Sequence, residues 1–136
     1  MMKNKDTLNE HIKMLASLQG KHKLLYLLEL SKAAPVYPPE HRDEHTLIQG
    51  CASVSYLHTF IQNNKVHTHI DSESQFVKGM LYVLHLYLKT LTPLELKDLP
   101  TSTILENIGL TQHITMQRTI GFSFAVQKAK KYIFMV

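Results

Sequence analysis

One cysteine in 136 residues is the scarcest chemistry in this chain. Cys51 has no second thiol with which to close an internal disulfide. Nor can it build a structural zinc site alone, because such sites take four ligands, usually several of them thiolates. What a single thiol can do is act as a nucleophile or carry a group on sulfur. A long uncharged apolar run is also missing: the most hydrophobic segment, residues 74–90, is interrupted by Lys78 and His85. It falls short of the roughly 18 residues that suggest a membrane span, so no membrane partner is expected. The basic residues do not gather either. Lys and Arg number 15 against 11 Asp and Glu, but they are scattered and do not alternate with aromatics in one block. That pattern argues against a nucleic-acid partner.

What is present is an ordinary globular composition. An apolar fraction of 44% over 136 residues suits one compact domain, spanning 1–136 with a core of about 7–132. The lone cysteine and the lack of a leader sequence lead us to expect a reducing, cytoplasmic setting.

Local patterning predicts an α+β fold in which helices cover a small antiparallel sheet. Thr7 and Glu10 have capping-box spacing, and Leu8, Ile12, Leu15 and Leu18 recur at helical spacing as far as Gly20. Leu24, Leu25, Leu27 and Leu28 mark a second helical apolar face. Residues 33–44 hold Pro35, Pro38 and Pro39 and read as an ordered surface loop delivering the chain to Cys51. Residues 53–62 read as a strand with Val54, Tyr56, His58 and Phe60 on one face. Asn63-Asn64 then suits a tight hairpin turn into an antiparallel partner over 65–70. Asp71-Ser72-Glu73-Ser74 offers capping oxygens, with Ser72 and Gln75 at capping-box spacing, for a central helix over 74–90. Thr103 and Glu106 mark a further helix start, with Gly109 as its C-terminal cap. A last helix from near Thr115 shows Phe122, Ala125, Val126, Ala129 and Ile133 on one side. Lys128, Lys130 and Lys131 are expected near its negative end.

Nine histidines invite a metal reading. His67 and His69 share a strand face, and His41 and His45 would be one turn apart in a helix, but no carboxylate or cysteine completes either set. No metal site is expected.

Several separated blocks carry a family resemblance. They are Pro39-Glu40-x-Arg42, Ile48-Gln49-Gly50-Cys51-x-Ser53, Asp71-Ser72, Val77-Lys78-Gly79, and Leu110-Thr111-Gln112-His113-Ile114-Thr115 with Arg118 and Gly121. In order and approximate spacing across residues 8–132 they resemble the SufE/CsdE family, whose members accept sulfur from cysteine desulfurases. The resemblance implies a SufE/NifU-like fold. It also implies that Cys51 takes persulfide sulfur from a SufS/CsdA-type cysteine desulfurase, stimulates that enzyme, and passes sulfur to an iron–sulfur scaffold or another acceptor. Gln49, Gly50 and Ser53 would belong to the cysteine loop, and Asp71, His113 and Arg118 would support that loop or the partner contact. No cofactor is implied on this chain, since pyridoxal phosphate belongs to the desulfurase. The family often self-associates, so a homodimer is a further expectation.

The chain departs from the family pattern at Ala52, where Gln is common, and at Tyr56, where Trp is common. Met116-Gln117 and Ile120 also replace the usual residues around Arg118. Other classes stay open on the residues alone. A self-contained thiol enzyme would use Cys51 activated by His113 or His58. A non-catalytic interaction module would use no chemistry at all. A cluster scaffold of the NifU type uses three cysteines, and one cysteine argues against it.

Overall fold

The computed structural model describes residues 4–50, 53–108 and 116–135. Among the described residues, six α-helices accompany a two-stranded antiparallel sheet: α1 (Asn4–Ser17), α2 (Lys21–Ser31), β1 (Ser55–Gln62), β2 (Lys65–Ser72), α3 (Gln75–Leu88), α4 (Pro93–Asp98), α5 (Thr101–Asn107) and α6 (Met116–Met135). This is the α+β architecture read from the sequence.

The hairpin forms where the sequence expects it. Asn63 and Asn64 both take positive φ, 53° and 59°, the left-handed pair that matches the twist of the flanking strands. The register sets Ser55 against Ser72, His58 against His69 and Gln62 against Lys65. Alternation then divides the sheet into two faces. Leu57, Thr59, Val66, Thr68 and Ile70 are buried toward the helices, while Tyr56, His58, Phe60, His67, His69 and Asp71 form a half-buried outer face.

The central helix α3 lies between α2 and β2 and buries Met80, Leu81, Val83, Leu84 and Leu88 almost completely. Gly79 makes the α2–α3 crossing close, because a Cβ there would sit 2.1 Å from the Leu27 carbonyl oxygen. The apolar stripe Phe122, Ala125, Val126, Ala129 and Ile133 of α6 is buried, as its spacing predicts.

Several local expectations are corrected. Helix α1 begins at Asn4, so Thr7 lies inside it and not at its cap. The cap of α3 is Ser74, whose hydroxyl accepts from the Val77 amide; Ser72 is the last residue of β2 and accepts from the Ser74 amide. A capping box occurs instead at Thr92 and Glu95, opening α4, a helix the sequence reading passed over. Helix α5 starts at Thr101, which leaves Thr103 within its first turn; the proposed cap Gly109 lies outside the described residues. Of the leucines assigned to one face of α2, only Leu27 is buried, while Leu24, Leu25 and Leu28 are 41%, 54% and 36% exposed. The helix rests on α3 along one side only. Finally, α6 continues to Met135 and has no basic residue in its last turn. Lys130 instead donates to the carbonyls of Leu96, at 2.7 Å, and Leu99, at the end of α4. The lysine thus satisfies the orphan carbonyls of another helix.

Candidate functional site

The chain approaches residue 51 through a segment fastened at many points. The Asp43 carboxylate accepts from the amides of His45, at 2.9 Å, and Thr46, at 3.3 Å. Such an Asx turn reverses the chain without secondary structure. The Thr46 hydroxyl and the Tyr37 phenol both donate to the His41 carbonyl. Residues 46–48 then run along the edge of β1: Ile48 N donates to Ser55 O at 2.9 Å and Leu57 N to Thr46 O at 2.8 Å. Ile48 is buried and anchors this stretch in the core.

Beyond that anchor, Gln49 and Gly50 are exposed. Gly50 has φ +85°, and a Cβ there would lie 2.5 Å from the ring of Phe124 on α6. A left-handed backbone and a close aromatic neighbour therefore both require glycine at this position. The chain is fastened again on the far side of 51–52. Half-buried Ser53 accepts at its carbonyl from the Ser55 hydroxyl. Val54 and Glu73 pair twice, Glu73 N donating to Val54 O and Val54 N to a Glu73 carboxylate oxygen.

Asp71 works as a clasp. Its carboxylate accepts from Arg42 Nη2 at 2.7 Å and lies 3.5 Å from Lys78 Nζ, joining the proline loop, the sheet and α3. Burial pushes the Asp71 carboxyl up, but the Arg42 hydrogen bond, the Ser72 amide and the charges of Lys78 and Arg42 outweigh it and hold the group below its ordinary value. The Arg42 guanidinium also lies 5.1 Å from the ring centroids of both Tyr37 and Tyr56. Tyr56 thus contributes a face to the cation at the position where the resemblance expects tryptophan.

Beside Gln49 an open cavity of about 450 Å³ lies between β1 and α6, lined by Leu57, Thr59, Lys128, Lys131 and Tyr132 among others. Burial and the neighbouring Lys131 charge push the Lys128 ammonium down.

The family follows from the whole chain. The SufE family model, described as the Fe-S metabolism associated domain, matches residues 9–133. The chain belongs to the SufE family. That membership associates it with iron–sulfur metabolism. A solution structure of a hypothetical protein from Thermus thermophilus has a similar fold, with a TM-score of 0.74 at 20% identity, covering 94% of this chain and 93% of that one.

Of the residues singled out from the SufE resemblance, Gln49, Gly50 and Ser53 flank the cysteine position directly, whereas Asp71 acts through Arg42 and Lys78. Cys51, Ala52 and His113 lie outside the described residues, as do Gln112 and the side chain of Arg118 on α6. His58, one of two histidines considered as a thiol activator, is engaged elsewhere: its Nδ1 is 3.2 Å from Nδ1 of His69. Phe124 was not visible as a site residue, because its contact with Gly50 joins parts of the chain 74 positions apart. No helix among the described residues is long and apolar enough to cross a membrane.

Proposed function

We propose that this SufE-family chain is a sulfur-acceptor protein in which Cys51 receives sulfur from a SufS/CsdA-type cysteine desulfurase. The Cys51 thiolate attacks the outer sulfur of the donor's persulfide. The donor's sulfur–sulfur bond breaks, its cysteine leaves as a thiolate, and a new sulfur–sulfur bond forms on Cys51. The exchange consumes no outside oxidant or reductant, since one persulfide is lost as another is gained. The acceptor then yields this sulfur to an iron–sulfur scaffold or another sulfur-using protein, and relieving the donor of its persulfide speeds the desulfurase. The chain itself carries no pyridoxal phosphate in this scheme and works in the cytoplasm.

The observation that carries this reading is the family match over residues 9–133, which contains the chain's single cysteine. The fastening of the backbone on both sides of positions 51–52 supports it, since it fixes where the chain enters and leaves the cysteine position. Persulfide exchange needs an accessible thiolate, whereas a thiol locked in the core would be inert. A self-contained thiol enzyme is less well supported, because His58 is already bonded to His69.

The test is mass spectrometry under non-reducing conditions after incubation with a cysteine desulfurase and free cysteine. A gain of one sulfur, about 32 Da, should map to Cys51 and be absent in Cys51→Ser. Desulfurase turnover should rise with the wild-type chain only. No gain of mass and no stimulation with several desulfurases would overturn the proposal, as would sulfide release from cysteine by this chain alone.

A further inference from the structure

The outer face of the hairpin carries a pair of nitrogen ligands that the sulfur-acceptor reading does not use. His58 and His69 stand opposite each other in the strand register, and their Nδ1 atoms are 3.2 Å apart. The ring centroids are 5.4 Å apart at an interplanar angle of 9°. That separation is close to the largest that the nitrogen contact permits, so the rings meet edge to edge with their Nδ1 atoms facing.

The rings also have close aromatic neighbours. His41, from the proline loop, lies face to face on His58 at a centroid distance of 3.5 Å. Phe60 packs beside His69 at 5.0 Å, and Tyr37 meets His69 edge-on at 6.5 Å. Burial first, and then the charge of His41, pushes both imidazoles below their ordinary value. Neutral imidazole is the form that ligates metals. One Nδ1 must carry a proton and the other accept it.

We propose that His58 and His69 form a two-histidine site for a first-row divalent ion of the Cu²⁺, Ni²⁺ and Zn²⁺ class, ligated through the two Nδ1 atoms. Two nitrogens bound at about 2.0–2.1 Å to one tetrahedral ion lie about 3.3–3.4 Å apart. The observed 3.2 Å is close to that distance, and each ring turns by about 35° to bring its lone pair from the facing nitrogen onto the ion. On binding, the proton of the donating Nδ1 moves through solvent to that ring's Nε2, so both rings remain neutral and no redox partner is needed. Water fills the remaining positions, because no group of three or more His, Cys, Asp or Glu among the described residues is arranged to hold a metal. An open imidazole site of this kind ranks ions in the Irving–Williams order, copper tightest. Its aromatic neighbours orient the ligands as outer-shell groups do in metal sites. Comparing histidines along one element cannot reveal the pair, since its members are 11 residues apart on different strands.

The test uses the full chain with Cys51→Ser, so that the thiol cannot capture the ion. Cu²⁺, and separately Ni²⁺, is titrated at neutral pH while the imidazole resonances are followed by nuclear magnetic resonance. One ion should bind saturably and broaden the His58 and His69 signals before those of His22 and His45. Affinity should fall at least about tenfold in His58→Ala and in His69→Ala, because each removes one arm of a chelate. His22→Ala should leave it unchanged. Absence of saturation, first broadening at other histidines, or affinity in both variants equal to that of the parent chain would overturn the site. Should either alanine variant fail to fold, the broadening pattern of the parent chain decides by itself.

Discussion

Gly50 must satisfy two demands at once. Its φ of +85° is strained for any side chain, and the Phe124 ring occupies the place of a Cβ. Gly50→Ala should therefore lower stability by about 1–3 kcal/mol in chemical denaturation and slow sulfur loading of Cys51. Gly50→Ala/Phe124→Ala should recover only the part due to the ring; full recovery would show that the backbone angle carries no cost. At Asp71 the decisive quantity is a charge. With the Arg42 side chain 43% exposed and that of Asp71 20%, solvent screens the pair, and Asp71→Asn should cost about 1 kcal/mol at neutral pH. Because the folded carboxyl titrates below its unfolded value, this stability is present above the unfolded pKa and is lost as pH falls through the folded one. Urea titrations of wild type and Asp71→Asn should converge in acid; a gap that persists there would assign the loss to packing.

At the scale of elements, sequence patterns succeed where one local rule is enough. The Asn63-Asn64 turn needs only two residues that tolerate positive φ, and the buried stripe of α6 needs only helical spacing. They fail where a competing partner decides. The box at Thr92 and Glu95 encloses Pro93, which reads as a breaker although the first helical turn accepts it. Leu24, Leu25 and Leu28 satisfy the same spacing rule as Leu27, and only the position of α3 selects which of them is buried. That selection passes through Gly79. Its replacement by alanine places a methyl 2.1 Å from the Leu27 carbonyl oxygen, so α2 and α3 must separate. Gly79→Ala should lower stability by about 3 kcal/mol with helix content retained in circular dichroism. A neutral result would mean that the two helices slide without penalty.

Across the whole molecule, acid should act through His85 on the core face of α3. Burial, aided by Lys89, pushes its imidazole down to about 4 from 6.5, and it shares a 3.0 Å hydrogen bond with Thr68 of β2. The unfolded chain takes up this proton first. Stability is therefore complete above 6.5 and declines as pH falls toward about 4, by at most about 3 kcal/mol from this residue. Denaturation midpoints over that interval should be flatter in His85→Gln, and an unchanged slope would place the acid sensitivity elsewhere. The α+β class, the hairpin, the single thiol and the SufE blocks were all legible in the sequence, because each rests on residue type, short-range spacing or order along the chain. Tertiary structure alone decided that Phe124 lies against Gly50, that Asp71 clasps Arg42 and Lys78 instead of capping a helix, and that His58 meets His69. Each of these contacts joins separate elements or loops, and their distances follow from how helices and sheet pack, which no local spacing encodes.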